Sequence, residues 1–317
     1  MKKKRRNDMI QLVILVVLGA AVILSVLLPQ LPHDNRSALP MELSVVLRES
    51  DSSLWSNVRL GLEAAAGDLG AELRFLTLSH ANDAQEQVEL LRREAEGGAG
   101  ALVVVPADPE ALAGQWEGIT NICPVVCMES EVEGASLVVA PDNDAMGRAL
   151  ARAVLEDWSS GVVLLLDTGG KSTGVAERLE AAREELEQSG VPVERRIVTP
   201  EALPNVLLPL VKESGAVEIM TFEPAATEQA VLAKEGGDLP QHLYGVGASA
   251  RVIAGLERGD VAAVAAVSDY AAGYVAAESA IRFARGETVT TEPLPFFVVR
   301  GEDIYDPENQ KLLFPVT

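Results

Sequence analysis

Cysteine, histidine and aromatic residues are all scarce in this chain of 317 residues, which holds two, three and thirteen of them. Each shortage excludes something. Cys123 and Cys127 lie in the apolar run CPVVC. On a strand, residues four apart share a face but sit roughly 13 Å from one another, too far for a disulfide. A zinc site would need further Cys or His ligands close by, and none is near. The pair reads as two small buried core residues and leaves the redox compartment open. His33, His80 and His242 fall neither in an HExxH pattern nor beside a cysteine, which argues against histidine catalysis and metal binding. No GxSxG nucleophile elbow occurs. Few aromatics suit a core of Ala, Val and Leu, as in α/β folds.

Positive charge is also short. Against 26 Lys and Arg stand 47 Asp and Glu, a formal net charge of −21. Five of the basic residues crowd into the first eight positions with a single acid. The remaining chain is therefore still more acidic, and such a surface repels phosphate backbones. Nucleic acid is excluded as a partner.

That basic cluster, Lys2 to Arg6, precedes an apolar run from Met9 to Leu28 whose only polar side chains are Gln11 and Ser25. As a helix the run spans about 30 Å, the thickness of a bilayer core. The basic flank belongs on the cytoplasmic side, which places everything after Pro29 outside. The run ends LSVLLPQLPHDN, without a small-x-small cleavage site and without a cysteine for lipidation. The sequence thus predicts a cytoplasmic tail at 1–8, an uncleaved single-pass anchor in the cell membrane at 9–28 and a proline-bearing linker at 29–41. A long cleaved signal is the alternative.

From Leu43 onward short apolar runs alternate with helical patterns. LSVVL, LRFLTL, ALVVV, PVVCM and SLVVA are predicted strands. Val58, Leu62, Ala65 and Leu69 repeat at helical spacing up to Gly70, and Val88, Leu91 and Ala95 up to Gly97-Gly98. A further helix falls around Ala111–Trp116. The cycle restarts near Asp142, with helices through Met146–Val154 and Val175–Leu186 and strands at GVVLLL, ERRIV, VEIMTF, LYGVG and AAVAAV. A helix over about Ala271–Arg285 and a strand FFVV come last. Fully apolar strands alternating with helices mean parallel sheets covered on both faces. Two such series mean two doubly wound lobes.

LLLDTGGKSTG resembles a phosphate-binding loop in its Gly170-Lys171-Ser172, but the required earlier glycine is Leu165. The loop reads instead as a strand-to-helix turn with Ser172 or Thr173 as N-cap. Carboxylates are many, mostly on helix faces such as Glu177-Arg178-Glu180, where solvated charge is the default. Open α/β sheets bind ligands at the carboxyl ends of their strands. That rule nominates the turns Arg48–Trp55, Glu129–Glu131, Gly169–Ser172, Glu223–Ala225, Gly247–Ser249 and Ser268–Tyr270.

Taken in order, SVVLRESDSSLWSNVRLGLEAAAGDLGAEL, ANDAQEQVELLRREAEGGAGALVVVPAD, PVVCMESEVEGASLVVAPDNDAMGRALARAVLE, VAERLEAAREELEQSG and AAVAAVSDYAAGYVAAESAIRFARGETV resemble successive blocks of the ribose-type periplasmic sugar-binding family. The resemblance spans about residues 42–317. It implies an α/β fold of two Rossmann-like lobes joined by three crossing segments. The N-terminal lobe would comprise 42–142 and 268–296, the C-terminal lobe 143–267 and 297–317. It further implies closure on a monosaccharide for delivery to an ABC permease. The family's repressor cousins carry a DNA-binding head where this chain has its apolar segment.

The positions that grip sugar in the family depart from its pattern. The first-loop Asn is Ser52 and the aromatic pair is Leu54-Trp55. The Asn after the third strand is Val105, and the Asp-Arg pair is Glu129-Ser130. A helix Arg is Ala176, a second-lobe Asn is Glu223, an Asp is Gly247 and the crossing Gln is Val267. The expected ligand contacts are then Arg48, Asp51, Leu54, Trp55, Glu129, Ser130, Glu223 and Asp269. This set is mostly acidic and suits a cationic or amine-bearing solute with Trp55 beneath it. The expected function is a membrane-anchored, extracytoplasmic solute-binding protein of an ABC-type sugar or small-solute importer. The alternative is a sensor subunit that signals to a membrane-bound partner. No enzyme, metal or cofactor is implied.

Overall fold

The computed structural model describes residues 40–236 and 239–314. Its first sheet is built from β1 (Met41–Val46), β2 (Ala71–Leu76), β3 (Ala101–Val104), β4 (Val125–Met128) and β5 (Leu137–Val139). The spatial order is β2-β1-β3-β4-β5 and every pairing is parallel. β3 and β4 are buried at every position, as strands covered on both faces must be. The covering helices are α1 (Ser56–Leu69), α2 (Ala84–Glu96), and the short α3 (Pro109–Ala113) and α4 (Glu117–Thr120). Gly70 ends α1 in a left-handed cap, and Asp83 caps α2 by accepting from the Glu86 N–H.

The second series runs α5 (Asn143–Asp157), β6 (Val162–Asp167), α6 (Thr173–Gln188), β7 (Val193–Ile197), α7 (Leu203–Ser214), β8 (Ala216–Thr221), α8 (Pro224–Gly236), β9 (His242–Val246), α9 (Ala250–Arg258) and β10 (Val261–Val267). α10 (Asp269–Ala284), β11 (Phe296–Arg300) and α11 (Pro307–Leu313) follow. The second sheet has the order β11-β10-β9-β8-β6-β7, parallel except for β11, which runs antiparallel to β10. Each sheet carries a buried apolar cluster on both faces. The α/β fold with two lobes of parallel sheet agrees with the sequence reading.

The chain passes between the sheets three times: after β5 through Ala140–Asp142, after β10 through Ser268, and before β11 through Leu294. Two passages are joined by a parallel bridge between Pro141 and Leu294, whose N–H donates to the Ala140 carbonyl at 2.9 Å. α10 leaves the second sheet and packs on α1 over the first.

In each lobe one helix pair meets backbone to backbone. A Cβ on Gly61 of α1 would overlap the Tyr270 carbonyl of α10, and one on Gly147 of α5 would overlap the Arg178 carbonyl of α6. Both contacts fix a helix that delivers a side chain to the cleft.

Helices α7, α8 and α9 had no separate sequence prediction. In α7, Pro204 and the internal Pro209 break the expected pattern. The helix persists because Leu203, Leu207 and Val211 fill the second lobe's core. The region read as one helix around Ala111–Trp116 is two short ones, with buried Trp116 between them. Among the described residues no helix is long and apolar enough to cross a membrane. The segment 9–28, read as an anchor, lies outside the described residues.

Candidate functional site

The carboxyl ends of both sheets face one another across a cleft. On the first sheet, β1 ends in the turn that carries Arg48 and Glu49. Gln87 of α2 anchors this region: its amide donates to the Leu47 carbonyl at 3.2 Å and the Val105 carbonyl at 2.8 Å, and accepts from the Ala107 N–H. The turn's own carbonyls accept from the Asn82 and Leu78 N–H groups. On the second sheet, the buried Thr221 and Thr227 hydroxyls lie 2.9 Å apart, and Thr227 also donates to the Val246 carbonyl. These bonds tie β8 and β9 together beneath Glu223.

Arg48 occupies the centre. It is 5% exposed and its guanidinium meets three carboxylates: Glu49 at 3.1 Å, Glu129, and Glu223 at 3.4 Å. Glu223 belongs to the opposite lobe. Glu129 in turn meets Arg178 of α6 at 2.6 Å, and Arg178 donates to Asn143 at 3.2 Å. Two ion pairs therefore cross the cleft, Arg48–Glu223 and Glu129–Arg178. A hydrogen bond of 2.8 Å between the Ser130 and Ser172 hydroxyls crosses beside them. The Gly174 N–H also donates to Ser130 at 3.3 Å. Glu129 has a left-handed backbone, φ 67°, which costs about 1–2 kcal/mol in a non-glycine residue.

Burial opposes charge throughout this network, and the partners decide each outcome. For Arg48, Glu129, Glu49 and Glu223 overcome burial and hold the guanidinium above its ordinary range. For Glu129, burial is outweighed by Arg48 and Arg178, and the carboxyl falls to about 2. Glu49 lies the other way: burial, helped by Glu129 and Glu223, overcomes Arg48 and pushes it up to about 7. Glu223 is likewise raised, by burial against the pull of Arg48. Asp269, the first residue of α10, is pushed up to about 6 by burial alone.

Two adjoining cavities of about 70 and 90 Å³ lie between the lobes. They share Trp55, Val58, Glu129, Pro224, Gly247 and Asp269 in their walls. Arg48, Glu49, Leu54, Glu223, Ala248 and Ser249 close the first, while Met128, Met146, Arg178, Val246, Ala265, Val267 and Leu294 close the second. A third cavity of about 190 Å³ lies against Arg48, Glu49, Asn82, Thr168, Ser172 and Glu223. Each is smaller than the roughly 300 Å³ at which ligand pockets begin. The lobes as observed are closed on one another.

Of the residues nominated by sequence, Arg48, Leu54, Trp55, Glu129, Glu223 and Asp269 come together around these cavities. Asp51 does not. It is exposed and accepts from the Ser53 N–H and hydroxyl, just before the short turn Ser53–Trp55. Ser130 is 1% exposed and occupied with Ser172 and Gly174 across the lobes. Ser172 caps α6, as the turn reading of GGKST expects, and accepts from the Val175 N–H. Sequence reasoning missed Glu49, Val58 and Arg178. Arg178, read as part of a solvated face, is 3% exposed. The signal was its spacing, three residues after Val175 and four before Ala182, on the inward stripe of α6.

Two lobes of doubly wound sheet, linked by three chain passages, thus face a cavity at their strand ends, the place where open α/β sheets hold ligands. The sequence of residues 43–288 matches the family model described as a periplasmic binding protein domain, and the chain belongs to that family. No curated protein matches the chain in sequence. A carbohydrate transporter solute binding protein from Agrobacterium radiobacter, solved with D-arabinose, superposes with a TM-score of 0.80 at 17% identity, covering 87% of this chain and 100% of that one. The glucose-galactose binding protein GanP from Geobacillus stearothermophilus gives 0.74 at 18% identity, covering 84% and 99%. A chain of the XylFII–LytSN complex gives 0.74 at 15%, also covering 84% and 99%. At these identities the likeness shows the fold, and with the family match it bears out the resemblance read from the sequence.

Proposed function

We propose that this chain is an extracytoplasmic solute-binding protein whose lobes close on a small solute at Arg48, Leu54, Trp55, Glu129, Glu223 and Asp269. The observation that carries this reading is the pair of cavities walled by both lobes at the carboxyl ends of their strands. In this reading the chain binds and does not catalyse. The lobes divide as 42–142 with 268–296 and 143–267 with 297–317, and the segment 9–28 tethers them to the cell membrane. Delivery to an ABC permease is supported by relatives that are transporter solute-binding proteins.

One observation favours a second role, that of a sensor subunit signalling to a membrane partner. Arg48–Glu223 and Glu129–Arg178 bridge the lobes using only the protein's own charges, so closure needs no ligand to neutralise them. A structural relative is seen bound to another protein in the XylFII–LytSN complex. Such a subunit would report a shift between open and closed populations.

The test is mass spectrometry of small molecules released on denaturing the purified full chain, together with calorimetric titration of what is found. A bound solute whose affinity falls on Glu223→Gln supports the binding role. A chain that releases nothing, and answers no solute, overturns it. Photocrosslinking from the lobes in membranes separates the roles: a permease crosslink supports import, a kinase crosslink supports sensing.

A further inference from the structure

The walls of the closed cleft say more about the solute than the fold does. The second cavity is dominated by apolar groups, among them Trp55, Val58, Val246, Val267 and Leu294. A pyranose presents several hydroxyls, and a site for it must offer each a partner or leave it unpaired at a cost. The cleft has few polar groups to give. Arg48 is enclosed by Glu49, Glu129 and Glu223, and Arg178 by Glu129 and Asn143.

Both guanidiniums are thus already paired with carboxylate, and of their nitrogens the Arg178 Nε is buried without a hydrogen-bond partner. The carboxylates lining the two cavities, Glu49, Glu129, Glu223 and Asp269, outnumber the arginines two to one. Asp269 differs from the other three. It borders both cavities, is only partly buried, and among the described residues no ion pair or hydrogen bond engages its carboxyl. Its place in the first turn of α10 is favourable for an acid, since the helix start carries partial positive charge. That explains why an acid is tolerated there but leaves its oxygens without a donor. A carboxylate that loses its remaining solvent as the cleft fills, without gaining a donor, is costly, and an ammonium group would supply both the charge and the hydrogen bond. Trp55, on the wall of the same cavities, presents an aromatic surface that suits a cation or its apolar body.

We propose that the cleft takes a small primary or secondary amine with an apolar body, its ammonium group paired with Asp269 and its body against Trp55 and the neighbouring valines. This rests on the solute-binding reading above and narrows it to one chemical class. The solute enters while the lobes are apart, because the cavities of the closed form are small.

The test is calorimetric titration of the full chain, purified in detergent, with cyclohexylamine, with cyclohexanol as its neutral match, and with D-arabinose. The expected result is binding of the amine at least roughly tenfold tighter than of either neutral compound, and a loss of roughly tenfold or more on Asp269→Asn. The melting temperature of Asp269→Asn, unchanged or raised, shows that the loss is not unfolding. Amine binding that survives Asp269→Asn overturns the proposal. Binding of D-arabinose with no response to the amine also overturns it, while leaving the solute-binding reading intact. No response to any of the three, together with no solute released on denaturation, overturns both.

Discussion

Replacing Arg48 by Met tests the charge network most directly, because the thioether side chain keeps much of the volume and removes the whole charge. Arg48 is 5% exposed and is shared among three carboxylates. Glu129 still has Arg178, which lies 2.6 Å away in the intact protein, whereas Glu49 and Glu223 lose their cation. Breaking a buried ion pair from one side costs about 3–5 kcal/mol. Protonation of the stranded carboxylates caps that cost, since Glu49 already sits near 7 with Arg48 in place. The expected loss at pH 8 is therefore about 3 kcal/mol, and about half that at pH 5. For a folded body of this size, with an unfolding entropy of about 2.1 cal/mol/K per residue, the loss at pH 8 corresponds to a fall in melting temperature of about 5 °C. Thermal melts followed by circular dichroism at the two pH values measure both quantities. The same variant removes the Arg48–Glu223 bridge, so solution scattering of the ligand-free chain should report a larger radius of gyration. A fall under about 2 °C, equal at pH 5 and pH 8, would refute the view that Arg48 is the hub of the closed form.

The intact network predicts a pH profile as well. Glu129, held at about 2, stabilises the fold above its ordinary value of 4.5, and this is lost as pH falls from there toward 2. Glu49 at about 7 and Asp269 at about 6 act oppositely. The folded chain keeps their protons where the unfolded chain has released them, so their favourable contribution is present below about pH 4 and is lost as pH rises to 7. Urea midpoints should peak between about pH 4 and 5, and Glu49→Gln should flatten the decline between pH 5 and 8. Gly61→Ala should destabilise by about 2 kcal/mol despite its better helix propensity, because the new Cβ meets the Tyr270 carbonyl; chemical denaturation measures it. Trp55→Ala should weaken binding of whatever solute is recovered from the chain by roughly tenfold, with a small effect on melting, as it is only partly buried.

Strand–helix alternation made the two sheets legible, because strands buried on both faces must be apolar throughout, as ALVV and VVCM are. β2 was displaced by two residues in the reading. LRFLTL has the strand's composition, but the hydrogen-bonded register with β1 runs from Ala71 to Leu76, and Leu78 lies beyond it as support for the Glu49 turn. At the cleft, the strand-end rule brought forward the turns at Arg48, Glu223, Gly247 and Asp269, since topology alone converges them. What it did not reveal is who pairs with whom. The helical spacing of Arg178 marks it as inward-facing, but Glu129 is 49 residues away and nothing local names it as the partner. Ser130 stood beside Glu129 in the same turn, yet its hydroxyl is taken by Ser172 of the opposite lobe. That depends on how the lobes meet.

The three chain passages carry a mechanical consequence. Pro141 lies in the first, and Pro293 and Pro295 flank Leu294 in the third; these two are the ones stitched together by the Pro141–Leu294 bridge. Proline fixes φ and restricts the residue before it. The paired passages thus behave as a stiff ribbon and not as two free strings. The second passage, at Val267–Ser268, is free of proline and runs directly into α10, which is seated on α1. Bending there moves Asp269 together with the first lobe as a single lever, so small torsional changes at a few residues translate into a wide opening at Arg48 and Glu223.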